Sequence, residues 1–220
     1  MSFILILALS FLPIALPSPL VILGSSNVDV FFPASSSASP FPSPGENLIV
    51  DDAGGRVLPG GKGLNQARGL CELAMADATF ITCFPAESAL SGVLSDALRK
   101  SNVTARVLQP RSCSVPGIGC VFPSKDDVCA IVMTNSNSDF DESEAERAIR
   151  EECADAKLLM LQNEIPSNLN TLALRSSPPS CASIYDLGGS SDISVPIDAN
   201  VTMITMNEIE MFRWVMQSIN

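Results

Sequence analysis

Short apolar runs alternate with stretches of helical spacing, and this alternation is the feature that most restricts the fold. The runs PLVILG (19–24), ATFITC (78–83) and KLLML (157–161) have the length and composition of buried strands. Between them lie amphipathic stretches of ten or more residues, such as 138–156, whose first turn is acidic. This order predicts an α/β fold with a mostly parallel central sheet covered by helices.

Further segments extend the pattern and add a second, smaller sheet. Helices are predicted to open near Gly61 and to cover 87–100, 166–175 and the residues from 207. More strands are predicted at 103–108, 181–187 and 201–205. Two pairs of short strands look antiparallel: 48–52 with 56–58 around Gly54-Gly55, and 118–122 with 128–133 around a turn at 125–127.

The first 18 residues differ from the rest of the chain. They include the apolar stretch FILILALSFLPIALP, and no charged residue occurs before Asp29. The stretch is short and broken by proline for a membrane span, and it lacks the basic start of a signal peptide. We divide the chain into an apolar leader at 1–18, which is a signal, an anchor or a misassigned start, and one domain at 19–220.

Composition excludes several classes of function. The net charge is −11, with 13 Lys and Arg against 24 Asp and Glu, so nucleic acid is not expected as a partner. The chain has no histidine, which excludes a Ser-His-Asp triad and any His-ligated metal. Seven cysteines without a C-x-x-C pair favour reduced thiols and a cytoplasmic location. The alternative is the secretory route, if residues 3–16 act as a signal.

The stretch LPGGKGLNQARGL (58–70) is the strongest candidate for a functional loop. It is not a nucleotide P-loop, because Gly63 stands where the Ser or Thr after the lysine should be. Glycines let a ligand approach backbone N–H groups, and the start of a helix supplies unpaired donors. The polar side chains of Lys62 and Asn65 lie at this end of the predicted helix. The loop is therefore either a tight turn or a polyol site formed by Gly60, Gly61, Lys62 and Asn65.

Five motifs in a fixed order carry a resemblance to a known family. They are GSSNVD (24–29), Pro-Gly-Glu (44–46), GGKGLNQA (60–67), QNE (162–164) and NEIE (207–210). This order resembles the ribokinase-like family of carbohydrate kinases, also called the PfkB family, and within it the ribokinase branch. The GGKGLNQA block is specific, whereas the others are informative mainly through their order. The resemblance covers about residues 19 to 220.

The resemblance implies a fold, an activity and a set of site residues. The family fold is a mostly parallel central sheet between helices with a small β lid, and it can dimerise through that lid. Its members transfer the γ-phosphoryl group of ATP to a sugar hydroxyl with Mg²⁺, and ribose is the best match here. Matching motifs place Asn27, Asp29, Gly60, Gly61, Lys62, Asn65 and Glu164 at the sugar, with Asn207 and Glu210 acting on phosphates and, through water, on Mg²⁺.

Local sequence leaves simpler roles open for the same residues. Asn27 and Asp29 could cap the loop after the first strand, and Glu164 could be a solvated carboxylate. Asn207 and Glu210 fit a helix N-cap and a first-turn acid equally well.

The chain also departs from the family pattern. It contains no Gly-Ala-Gly-Asp segment, which in the family supplies the catalytic base and an anion hole. Leu187-Gly188-Gly189 follows Asp186, where the family often has Asn-Pro. We therefore expect the N-terminal two-thirds of a kinase fold with little or no kinase activity. Two alternatives stay open: a non-catalytic sugar-binding or dimerisation module, and a secreted or membrane-anchored α/β domain.

Overall fold

The computed structural model describes residues 19–32, 44–45, 54–72, 78–123, 128–189 and 201–219. The apolar leader, the strand expected at 48–52 and the turn expected at 125–127 lie outside these residues. The strands are β1 Leu20–Leu23, β2 Asn27–Phe31, β3 Arg56–Gly60, β4 Ala78–Cys83, β5 Thr104–Leu108, β6 Gly117–Pro123, β7 Val128–Met133, β8 Leu158–Gln162, β9 Ala182–Asp186 and β10 Met203–Thr205. The α-helices are α1 Lys62–Glu72, α2 Ser91–Lys100, α3 Glu142–Cys153, α4 Ser167–Ser176 and α5 Glu208–Ile219.

Six of these strands form a parallel central sheet in the order β10-β9-β8-β1-β4-β5. Strand β1 lies inside it, with Leu20 opposite Ala78 on one side and Leu158 on the other. All four β1 residues are buried, as expected for a parallel strand with helices on both faces. The predicted α/β fold with a mostly parallel sheet is confirmed.

The helices cover both faces of this sheet and divide the core into two layers. Leu20 and Ile22 pack with buried residues of α1 and α2, including Leu64 and Leu94. The alternate residues Val21 and Leu23 pack with α3 and α4, where the buried residues are Ala145, Ala148, Ile149, Leu169 and Ala173. The period-two alternation of a strand therefore gives each face of β1 its own helical layer.

A second sheet, which we call the lid sheet, has the order β3-β2-β6-β7. Strand β2 pairs antiparallel with β3 and parallel with β6, and β6 pairs antiparallel with β7. No strand was predicted between residues 24 and 48, but β2 begins at Asn27, so Asn27 and Asp29 lie in a strand and do not cap a loop. The partner of β3 is β2, whereas the sequence suggested 48–52. The pairing of β3 with β2 depends on a segment about 30 residues earlier in the chain, and the sequence around β3 does not indicate it.

The helix boundaries follow local chemistry closely. Helix α3 begins after Asp141, whose carboxylate accepts the Glu144 N–H at 2.9 Å as an N-cap. Helix α2 begins at Ser91 rather than at the predicted residue 87, because residues 86–90 form turns. All seven cysteines carry free thiols. No helix within the described residues has the length and apolar character needed to cross a bilayer.

Candidate functional site

The predicted site residues gather where the carboxyl ends of β1, β8 and β9 meet the start of α1. The loop Gly24–Ser26 leaves β1, Glu164 follows β8, and Asp186 ends β9. Because parallel strands end at the same edge of a sheet, this edge is where open α/β sheets bind ligands.

The glycines of the 60–63 loop allow the backbone of α1 to lie directly on the loop after β1. Gly61 has a φ of +90°, and a side chain there would come within 2.9 Å of the Asn27 backbone nitrogen. A side chain on Gly63 would meet the Gly24 backbone at 2.8 Å. The Leu64 N–H donates to the Ser25 carbonyl at 3.0 Å and fixes the contact. Gly61 and Gly63 are therefore needed, at least in part, for the close packing of α1 on this loop.

Glu164 ties these two loops to β8. Its Oε2 atom accepts the Ser25 hydroxyl at 2.5 Å and the Lys62 backbone N–H at 2.9 Å. The side chain is therefore not a solvated carboxylate, which was the simpler reading of the sequence. Gly189, with a φ of +108°, packs against Glu164 and leaves it room. Ser25 was not among the predicted site residues.

Asp29 lies on the same face of the lid sheet as Asn27. Across the sheet it stands in one row with Leu58 and Gly119. Its carboxylate lies over Gly60 and Gly119, where any side chain would collide with it. Burial first, and the charge of Glu164 second, raise the pKa of Asp29 above its usual value. The two carboxylates therefore share one electrostatic environment.

Asn27 is buried and held by a residue that the sequence analysis missed. Its Oδ1 atom accepts a hydrogen bond from Asn137 Nδ2 at 2.7 Å. Asn137 Oδ1 in turn accepts the Ser26 backbone N–H at 3.0 Å. Gly117 stands beside Asn27 in the sheet, where a side chain would strike both amides. The Gly-Ile-Gly sequence at 117–119, with two glycines on one strand face, was the available signal.

The side chain of Lys62 turns toward β9. Its Nζ atom lies 2.5 Å from Asp186 Oδ1, and the Gly188 N–H donates to the same oxygen at 2.8 Å. A side chain on Gly188 would collide with the Lys62 ammonium and with a Glu210 carboxylate oxygen. The structure therefore places Lys62 between the 60–63 loop and the start of α5. Asp186 is a second residue that the sequence analysis did not place in the site.

Asn207 and Glu210 form a reciprocal cap at the start of α5. The Asn207 N–H donates to Glu210 Oε2, and the Glu210 N–H donates to Asn207 Oδ1, both at 2.8 Å. In the described part of the chain, no group of three His, Cys, Asp or Glu residues could hold a metal. Glu210 has only its second oxygen outside the cap, so the described residues do not form a direct Mg²⁺ ligand set.

Asn65 is the predicted site residue with the weakest structural connection. It is exposed on the first turn of α1, and its backbone N–H donates to the Gly61 carbonyl at 3.0 Å. No hydrogen bond between described residues uses its side chain.

A separate open cavity of about 530 Å³ lies beside the start of α3. Arg111 and Arg147 line it together with Asp141 and Glu144. The charges of these four residues cancel, and both arginines are exposed. None of the residues predicted for the sugar site lines this cavity.

Comparison with solved structures identifies the fold. A ribokinase from Thermotoga maritima matches with a TM-score of 0.72 and 21% identity, covering 91% of this chain and 63% of that one. A ribokinase from Arabidopsis thaliana, solved with ribose and ATP, matches with a TM-score of 0.69 and 24% identity, covering 89% of this chain and 62% of that one. A nucleoside kinase from Methanocaldococcus jannaschii, described as an archaeal member of the ribokinase family, matches with a TM-score of 0.62 and 14% identity, covering 88% of this chain and 62% of that one.

These likenesses show that the chain has the ribokinase fold, which confirms the fold expected from the motifs. The chain spans about six tenths of the length of these structures. No protein-family sequence profile matches it, and neither does any curated protein sequence.

Proposed function

We propose that this chain binds a small uncharged sugar, with ribose as the first to test, where the lid sheet meets the carboxyl edge of the central sheet. The observation that carries the proposal is a pair of carboxylates beside the glycine loop. Asp29 lies over Gly60 and Gly119, and the charge of Glu164 acts on it. Carboxylates that accept several hydrogen bonds are suited to neighbouring sugar hydroxyls.

The residues have different roles in this proposal. Asp29 and Asn27 offer polar groups to the sugar hydroxyls from the lid side. Gly60 and Gly61 line the site through their backbone and leave room for the Asp29 carboxylate and the loop after β1. Glu164 fixes the loops after β1 and before α1 through Ser25 and the Lys62 N–H. Asn65 adds a polar group at the exposed rim. A site fixed by hydrogen bonds between distant segments is pre-organised, which reduces the entropy lost on binding.

For the activity, we propose the reaction class of the ribokinase-type kinases, in which the γ-phosphoryl group of ATP passes to a sugar hydroxyl. Mg²⁺ would neutralise charge on the phosphates in such a reaction. In this proposal Asn207 and Glu210 lie on the phosphate side of the site. The 220 residues contain no Gly-Ala-Gly-Asp segment. We therefore expect this chain to bind ribose without transferring a phosphoryl group from ATP to it.

Isothermal titration of the 220-residue chain with D-ribose tests the sugar site. Asp29→Asn should weaken ribose binding by about tenfold or more, since a hydrogen bond to a charged group contributes about 1.5–3 kcal/mol. Asp155→Asn, an exposed change at the amino end of β8, is the matched control and should leave the affinity unchanged. If the wild-type chain binds no uncharged sugar, or if Asp29→Asn binds ribose equally well, the proposal fails.

A second proposal concerns the outer face of the lid sheet, which fits a homodimer. Val57, Val30, Cys120 and Ile131 stand in one row on the face opposite to Asp29. Val57 is 52% exposed and Ile131 is 51% exposed. Exposed apolar side chains side by side on a sheet favour burial against a second copy. Sedimentation velocity should show a dimer that Ile131→Glu dissociates and Ser95→Glu does not. A monomeric wild type would rule it out.

We place the protein in the cytoplasm, as the free thiols suggest, with the secretory route as the alternative if residues 3–16 act as a signal. N-terminal sequencing of the native protein distinguishes the two: a start at residue 1 supports the cytoplasm, and loss of the leader supports secretion.

A further inference from the structure

The ammonium of Lys62 is already paired inside the candidate site. It lies 2.5 Å from Asp186 Oδ1, and the two side chains are only 32% and 26% exposed. The same Asp186 oxygen accepts the Gly188 N–H at 2.8 Å, which fixes the carboxylate from the other side. The Gly188 N–H therefore holds the Asp186 carboxylate in position for Lys62. This distinguishes the pair from a fully exposed surface ion pair, which has no such support.

Two further carboxylates lie near Lys62. Glu210 approaches Gly188 from the start of α5, on the side where the Lys62 ammonium also lies. Glu164 binds the backbone N–H of Lys62. An anionic ligand would therefore meet an ammonium that Asp186 already pairs, with the carboxylates of Glu164 and Glu210 beside it.

We propose that Asp186 is a specificity-determining residue, which holds Lys62 in an internal ion pair and so withholds the cation of the site from phosphorylated or carboxylated sugars. This inference rests on the proposed sugar site and names its substrate class: uncharged polyols are accepted and anionic ones are rejected. The charge of the residue at position 186 would then determine how strongly the site binds an anionic ligand, because Lys62 is the same in the wild type and in a variant at position 186.

Replacing Asp186 by asparagine separates charge from shape. The amide oxygen of asparagine can still accept the Gly188 N–H and a Lys62 N–H, and the two side chains have nearly the same size. Only the negative charge is lost. A charge removed from the neighbourhood of a bound anion in a half-exposed site should change its affinity by about tenfold.

The experiment measures binding of inorganic phosphate and of D-ribose to the 220-residue chain by isothermal titration. Asp186→Asn should bind phosphate about tenfold or more tightly than the wild type. Its ribose affinity should stay within about threefold of the wild type. Adding Lys62→Met to Asp186→Asn should remove the gained phosphate binding. Asp155→Asn, which removes one charge at the opposite end of the central sheet, should gain none.

Several results would overturn the inference. If Asp186→Asn gains no phosphate binding, or if Asp155→Asn gains as much, Asp186 does not withhold the cation. The double variant Lys62→Met/Asp186→Asn provides an independent arm, because it removes both charges of the pair and leaves the local net charge unchanged. It should bind phosphate as weakly as the wild type, whereas clearly weaker binding would show that Lys62 is already available to anions. Thermal unfolding checks that both variants are folded.

The phosphate measurements also keep this inference separate from the proposed function. A chain that binds no sugar, but gains Lys62-dependent phosphate binding in Asp186→Asn, would refute the sugar site and keep the role of Asp186. Ribose binding by the wild type, without a gain of phosphate binding in Asp186→Asn, would support the sugar site and refute the role of Asp186.

Discussion

Strands β1 and β7 are both short and apolar, yet their surroundings are opposite. The four residues of β1 are at most 1% exposed, whereas Ile131, Val132 and Met133 of β7 are 51%, 45% and 43% exposed. Strand β1 lies inside the central sheet with helices on both faces, and β7 is the outermost described strand of the lid sheet. Apolar composition therefore identifies a strand, but the layers packed on it decide whether it belongs to the core.

The candidate site lies on the boundary between these two regions. The covered central sheet supplies fixed positions for Glu164 and Asp186 at the ends of β8 and β9. The less covered lid sheet supplies Asp29 and Asn27. A stable sheet on one side and a lightly packed one on the other is an arrangement that allows a site to close over a ligand without disturbing the core.

The largest contrast is expected from removing equivalent apolar side chains in the two strands. Leu23→Ala in β1 should lower the free energy of unfolding by about 2–5 kcal/mol, because it leaves a cavity in a fully buried layer. Val132→Ala in β7 should lower it by less than about 1 kcal/mol. Urea unfolding followed by circular dichroism measures both. Equal losses would show that β7 is buried in solution, as it would be in a tight dimer.

A smaller effect is expected from two glycines of the same segment. Gly61→Ala should cost about 1–3 kcal/mol, because alanine is strained at a φ of +90° and its Cβ would press on the Asn27 backbone. Gly69→Ala is the matched control: it lies within α1 with open space around it, and should stabilise by about 0.5–1 kcal/mol. Thermal unfolding gives both values. A neutral Gly61→Ala would mean that the two loops are not in contact.

Removing the N-cap should have different effects in α3, which packs in the core, and in α5, which is more exposed. Asp141→Ala removes the N-cap of α3, which packs in the core, and should cost about 1 kcal/mol of global stability. Asn207→Ala removes the cap of α5, where Ile209, Phe212 and Val215 are 54%, 66% and 45% exposed. Its cost should appear mainly as faster hydrogen exchange in α5, with a smaller change in global stability. A global loss equal to that of Asp141→Ala would show that α5 is fixed as firmly as α3.

The smallest effect is expected at Asp29 and depends on pH. Because folding raises the pKa of Asp29, its stabilising contribution exists below the unfolded pKa and is lost as the pH rises through the folded pKa. Asp29→Asn should therefore raise the melting temperature by about 1–3 °C at pH 7. The gain should vanish as the pH falls below the ordinary carboxyl pKa of about 3.9. A gain that grows at low pH would contradict the raised pKa.

Local patterns predicted most elements of the fold correctly. The capped start of α3, the parallel strands β1, β4 and β8, and the start of α1 near Gly61 all follow from spacing and capping chemistry. The motifs also predicted that Asp29, the 60–63 loop and Glu164 belong to one site, and the Lys62 N–H does contact Glu164. These features depend on residues close together in sequence, or on the general rule that parallel strands end together.

The parts that were missed depend on contacts between distant residues. Strand β2 was not recognised because its pairing with β3 and β6 joins three separate segments. The ion pair of Lys62 with Asp186 spans 124 positions, and the hydrogen bond of Asn27 with Asn137 spans 110. Residues that pair over such separations show no recognisable spacing in a single sequence. Their contacts can therefore be identified only from the folded structure.

The position of β1 also has a consequence for the order in which the protein can assemble. The partners of β1 in the central sheet are residues 78–81 and 158–161, so the second arrives much later during synthesis. At ribosomal rates of about 5–20 residues per second, β1 waits on the order of ten seconds for both neighbours. During that time an apolar Leu-Val-Ile-Leu edge stays open to other chains. Slow, non-local closure of this kind lengthens the time in which the nascent chain can aggregate.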